Sequence, residues 1–186
     1  RLKHCAAVNF VTAMTHYADA DVAGGVDWQN INFSASLGSL SLATSKSNSA
    51  SLIYSGSKKE NWVRPGIMLY GSSPIADVTA ASLGLKPAMT LKSKVIAIQH
   101  LKAGDRVGYG GTFTAKSDMR IGIVAGGYGD GYPRSAPHGS PILVNGVRVE
   151  TVGRVSMDTL AVNLTGTPSA NVGSDIVLWG EGLPIE

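Results

Sequence analysis

The chain has 186 residues, 44% of them hydrophobic, and a mean hydropathy of +0.10, enough apolar material to bury a core and to exclude a disordered polymer. Its net charge of +3 comes with only 16% charged residues and no Lys/Arg run longer than two, so neither a nucleic-acid nor a membrane-surface footprint is expected. The single Cys5 rules out an internal disulfide and a cysteine-rich metal centre, and favours a reducing, cytoplasmic setting.

No stretch reaches the roughly eighteen apolar residues of a membrane span, and the first residues, "RLKHCAAVNF", lack a secretory signal pattern. A start without Met and an end at "WGEGLPIE" give the expectation of a piece of a longer chain. The run "VTAMTHYADAD" predicts a short strand that delivers His16 to the rim of a parallel sheet, the side where ligands bind in such folds. A helix is predicted in "DVAGGVDWQNINFSASLGSL", starting after Asp27. Ser49, in "SKSNSASL", precedes a second helix start, where its hydroxyl would cap that helix or hold an anion. In "VRPGIMLYG", read as another apolar strand, Pro65 forces extended geometry on Arg64, and an Arg there needs a partner. Strands alternating with helices imply buried parallel strands.

The character changes after "SSPIADVTAASLGLKPAM". "TLKSKVIAIQHL", "RIGIVAGG", "SPILVNGVRVETVGRVSMDTLAVNL" and "SDIVLWG" are β-branched, partly alternating and punctuated by turn residues. "VNGV" carries the Asn-Gly pair of a two-residue hairpin. An antiparallel β domain is therefore predicted, with residues 1–75 as one domain, 76–186 as the other, and the boundary near 75 to 88.

Two glycine-rich stretches stand out. "GIVAGGYGDGYPRSAPHG" superficially resembles a phosphate loop, but that needs its glycines between a strand and a helix N-terminus, and here Pro133 and two further prolines follow with no helical period. The composition suits either a sharply turning loop that presents Tyr128, Asp130 and Arg134, or a plain tight turn with a tyrosine core. "RVGYGGTFTA" exposes Tyr109 between glycines, where a phenol with a pKa lowered by nearby cations would serve as acid or base.

Taken in order, "MTHYADAD", "SNSASL", "VRPGIMLYG", "VGYGGTFTA", "GYGDGYPR" and "VGRVSMDTLAVNL" closely resemble the alanine racemases over nearly the whole chain. The resemblance implies the last units of a (β/α)8 barrel followed by a C-terminal antiparallel β-barrel-like domain, and pyridoxal 5'-phosphate as cofactor. It further implies a head-to-tail homodimer of a cytoplasmic bacterial isomerase that supplies D-alanine for peptidoglycan. It would make Ser49, through its hydroxyl, and Gly66 and Ile67, through their N–H groups, the phosphate cradle. Arg64 would face the pyridine nitrogen with His16 beside the ring. Tyr109 would be one of two catalytic bases, donated to the other subunit. Met157 would meet the substrate carboxylate through its N–H, and Tyr128, Arg134, Arg154 and Asp158 would line the substrate entrance.

The family's second base, a lysine in a Val-Lys-Ala-Asn-Ala-Tyr-Gly-His-Gly type motif, is absent from these 186 residues; Lys3, Lys46, Lys58 and Lys59 sit in nothing similar. A decarboxylase of the same architecture would set a carboxylate against the pyridine nitrogen and use a cysteine in the β domain. A racemase of broader amino-acid specificity and a non-catalytic dimerisation or ligand-binding module remain as alternatives. The purified 186-residue chain alone is expected not to interconvert the alanine enantiomers; turnover in a coupled D-alanine oxidation assay, with no lysine-bearing segment added, would overturn this.

Overall fold

The computed structural model describes residues 5–55 and 60–185. Its packing divides into two compact units, one up to Ala88 and one spanning Met89–Ile185.

The first unit is α/β. Strand β1 (Thr12–Met14) pairs in parallel with β2 (Ala43–Ser45), and helix α1 (Asp27–Leu37) connects them. The helix starts with Asp27 in its first turn, where a carboxylate meets the positive end of the helix dipole. It ends at Gly38 (φ 54), whose N–H returns to the carbonyls of Ser34 and Ala35, a positive-φ stop that glycine makes without strain. No residue of α1 is buried; polar side chains tie it to the chain after β1 instead. The Gln29 side chain accepts from Ala18 N–H (2.6 Å) and donates to His16 O (2.9 Å), and Tyr17 OH donates to Asn30 Oδ1 (2.7 Å).

Helix α2 (Ser49–Ser55) follows β2. The "VRPGIMLYG" segment, expected to be a strand, is not one: Trp62 makes a single parallel bridge to Ser45, and Ile67–Tyr70 wind into a 3-10 turn. Pro65 has no N–H for a ladder, and Gly66 breaks the extended path with φ −118, ψ −95.

The second unit is a closed antiparallel barrel in the order β10-β3-β6-β9-β8-β7. Its strands are β3 (Leu91–Leu101), β6 (Met119–Ala125), β7 (Pro141–Val144), β8 (Val147–Val152), β9 (Thr159–Asn163) and β10 (Asp175–Trp179). A side hairpin, β4 (Arg106–Val107) with β5 (Phe113–Thr114), leaves the barrel between β3 and β6. The predicted Asn145-Gly146 turn joins β7 to β8 with φ of 49 and 81, the positive pair of a type I′ hairpin. Bulges interrupt the register of β3 at Val95/Ala97 and of β10 at Val177/Trp179, and such bends help a twisted sheet close on itself.

Alternation fills the barrel with Val95, Val124, Ile142, Val144, Val162, Leu164 and Ile176, all fully or almost fully buried. Gly122 stands in this layer because a Cβ there would lie 2.8 Å from Leu164 Cδ1. Among the described residues no helix is long and apolar enough to cross a membrane.

Truncating Ile176 to Ala should lower the unfolding free energy by about 2–5 kcal/mol. Ile96→Ala, at an exposed position of β3, should stay within about 0.5 kcal/mol. Denaturant titration followed by circular dichroism reads both.

Candidate active site: a cleft in each unit

The first unit holds a cleft of about 540 Å³ that His16, Asn48, Ser49, Arg64, Gly66 and Ile67 help to line. These residues converge because β1, β2 and the Trp62 bridge run parallel, so their C-terminal ends open on one side.

Arg64 is fixed from several directions. Its backbone N–H donates to Ser47 O (2.8 Å), Nη1 donates to Ser45 Oγ, and Nη2 donates to Thr15 O (2.8 Å). Nη2 also lies 3.3 Å from His16 Nδ1. A guanidinium has only donors, so Nδ1 must be the acceptor and a neutral His16 carries its proton on Nε2. The partner that an arginine in this segment requires is thus a set of ends of β1 and β2.

The cap of α2 is Asn48, not Ser49. Asn48 Oδ1 accepts from Ser51 N–H (3.1 Å), Ser51 Oγ accepts from Asn48 N–H (3.1 Å), and Asn48 Nδ2 reaches Tyr17 O (3.2 Å). That leaves the buried Ser49 hydroxyl for another task. Its oxygen accepts from Gly66 N–H (2.8 Å) and Met68 N–H (3.4 Å), so its own proton is available to an incoming acceptor. The Ile67 N–H likewise has no acceptor among the described residues. A hydroxyl proton and an amide proton turned into a cleft that also holds Arg64 fit a phosphate group.

Lys46 is committed elsewhere, donating to Asn30 Oδ1 (3.0 Å) and lying 3.8 Å from Glu60. Lys3, Lys58 and Lys59 fall outside the described residues.

The second unit holds a cleft of about 720 Å³ whose lining includes Tyr109, Tyr128, Arg134, His138 and Arg154. Tyr109 is 72% exposed, as its glycine neighbours predict. The Arg134 guanidinium sits over the Tyr128 ring, 5.3 Å from its centroid, a cation–π pair that gives both side chains a direction. Tyr132 faces the other way, stacked on Trp179; burial pushes its phenol above the ordinary tyrosine range, with a hydrogen bond to Ser140 pulling back. The "GGYGDGY" stretch therefore both presents Tyr128 and buries Tyr132.

Its glycines serve close approach, not phosphate. Gly126 N–H donates to Asp158 O (2.8 Å), Tyr128 N–H to Ser156 O (3.0 Å) and Gly129 N–H to Met157 O (2.8 Å), and a Cβ at Gly127 would fall 2.2 Å from Ser156 O. The amides a phosphate would need are consumed by this seam. Met157 and Asp158 lie along it and do not line the Tyr109 cleft; the Met157 N–H has no acceptor among the described residues. No group of three or more metal-binding side chains occurs among the described residues. Sequence reasoning did not find Ser45, Gln29, Asn30 or Asn48; only the Asn48-x-x-Ser51 spacing carried a capping signal.

Both halves match described families: residues 1–74 match "Alanine racemase, N-terminal domain" and residues 88–186 match "Alanine racemase, C-terminal domain". The alanine racemase of Thiobacillus denitrificans is 54% identical over 186 residues, which are 100% of this chain and 51% of that protein. Among solved structures, the biosynthetic alanine racemase of Pseudomonas aeruginosa superposes with a TM-score of 0.88 at 44% identity, covering 99% of this chain and 52% of that one. The Bartonella henselae alanine racemase, solved with covalently bound pyridoxal phosphate, gives 0.79 at 26% identity, covering 95% of this chain and 50% of that one.

The chain thus has the α/β-then-β make-up of a two-domain class of enzyme. It belongs to the alanine racemase family. It spans about half the length of the curated relatives it matches.

Asn48→Ala should cost about 1 kcal/mol of stability through loss of the α2 cap, and Asn48→Asp, which keeps the acceptor for Ser51 N–H but sets an oxygen against Tyr17 O, should recover only part of it. Thermal unfolding of the two variants separates the cap from the Tyr17 contact.

Proposed function

We propose that this chain contributes the cofactor cradle and one catalytic base of a pyridoxal-phosphate-dependent alanine racemase that interconverts L- and D-alanine. In this reading residues 1–75 are the end of a (β/α)8 barrel. Residues 76–186 are the C-terminal β domain, and the working enzyme is a head-to-tail homodimer in the cytoplasm that makes D-alanine for the cell wall.

The observation that carries the reading is the anchored Arg64. Pyridoxal phosphate, held by a lysine outside these residues, supplies an electron sink that acidifies the substrate α-carbon. Ser49 Oγ–H and the Ile67 N–H would bind its phosphate, and the Gly66 N–H, which donates to Ser49 Oγ in this structure, would have to exchange that bond to join them. Arg64, pinned by Ser45, Thr15 and His16, would meet the pyridine nitrogen with a charge it cannot surrender, because a guanidinium keeps its proton throughout the working pH range. Placed there, Arg64 would leave that nitrogen unprotonated and so would favour return of a proton to the substrate α-carbon over decarboxylation or transamination. A decarboxylase would need a carboxylate in that place and a cysteine in the β domain, and the only cysteine is Cys5.

Racemisation needs a base on each face of the α-carbon. Tyr109, exposed at the tip of its turn, would move the proton on one face in the partner subunit. The Met157 N–H would hold the substrate carboxylate, and Tyr128, Arg134, Arg154 and Asp158 would form the entrance.

The two enantiomers have equal free energy, so kcat/KM in the two directions must stay equal in any variant. The test therefore follows the α-proton. In the complete racemase polypeptide in D2O, Tyr109→Phe should slow α-proton exchange from one alanine enantiomer by about 10²- to 10⁴-fold and leave exchange from the other largely intact. Unchanged exchange from both would remove Tyr109 from this role.

A further inference from the structure

Tyr109 is held in place by very little of its own. Gly108, Gly110 and Gly111 surround it with φ of 79, 73 and 53, so the turn is built from the residues with the most backbone freedom. Its exposed ring gains no support from a core. Within the turn, one backbone bond spans it, from Gly111 N–H to Gly108 O at 3.0 Å.

The root of the turn packs close to the backbone of Gly153 and Arg154, and the restraint on its tip comes from Arg106. Its Nε donates to Gly111 O (3.1 Å), and its Nη2 donates to Gly110 O (3.1 Å) and Gly111 O (3.0 Å). A Cβ on Gly111 would lie 2.5 Å from Arg106 Nε, so the absence of a side chain at that position makes room for the guanidinium. Among the described residues Arg106 takes part in no ion pair. Its fork is spent on the two carbonyls that follow Tyr109, and that fork is what arginine has and lysine lacks. β4 carries the clamp at the base of the turn, where Arg106 pairs with Thr114 and Val107 with Phe113 across the hairpin.

We propose that Arg106 is a positioning residue for Tyr109: its guanidinium locks the glycine turn so that the phenol is presented in one orientation. The proposal rests on the reading of Tyr109 as an acid–base group. A misplacement of about 1 Å can cost on the order of 10²-fold in rate, so an unclamped turn should be felt on the face that Tyr109 serves and not on the other.

The experiment uses Arg106→Ala and Arg106→Lys in the complete racemase polypeptide, beside Tyr109→Phe. Amide hydrogen exchange at Gly111 should speed up by about tenfold or more in both arginine variants, with the amides of β3 unchanged. Alpha-proton exchange from the enantiomer that Tyr109→Phe disables should fall by about 10- to 100-fold, with the other enantiomer within about twofold. Lysine, which keeps charge and bulk but not the fork, should not restore it. Gly111 exchange at the parent rate, an equal fall for both enantiomers, or full rescue by lysine would each overturn the positioning role while leaving the Tyr109 result standing. If Tyr109→Phe itself leaves both exchanges unchanged, the acid–base reading falls and the proposal falls with it.

Discussion

The second unit depends on β10 finding β7. Six antiparallel strands in a row would leave two edges; the pairing of Ile176 with Val144 and of Val177 with Leu143 closes them into a barrel. Closure leaves no barrel edge for another chain to pair with. It also fixes the roots of the loops that matter. The β4–β5 hairpin is rooted in β3 and β6, the Gly126–Arg134 loop in β6 and β7, and the 153–158 segment in β8 and β9. Tyr109, Tyr128, Arg134 and Arg154 share a cleft because their loops leave one closed wall.

The first unit works by a different rule. Its described core is small, Tyr17, Ala20 and Ala50 with Val26 against them, and its precision comes from side-chain amides. Gln29 grips the chain on both sides of Tyr17, Asn30 takes the Tyr17 hydroxyl, and Asn48 reaches back to the Tyr17 carbonyl. The segment that carries His16 is therefore held by hydrogen bonds, with little hydrophobic burial. Hydrogen bonds are directional where burial is not, which suits a residue whose ring nitrogen must face a guanidinium.

Much of this could be read in the sequence, and the limits have physical causes. The β-rich half was legible because β-branched alternation and Asn-Gly turns are local signals. The α1 helix was legible too, although its start is Asp27 itself. "VRPGIMLYG" misled because a short apolar run does not distinguish a strand from a turn. Ser49 was recognised as a special serine but given two possible tasks, since capping depends on which neighbour gets there first, and Asn48 did. The clamps by Gln29 and Asn30 were out of reach. An amide side chain has no period, and its partners lie 11 to 13 residues away.

The seam between Gly126–Gly129 and Ser156–Asp158 ties two stretches far apart in sequence into one mechanical piece. A side chain gained at Gly127 would run into the Ser156 and Met157 carbonyls, so neither backbone can move without the other, and the two stretches answer to sequence change as a single part.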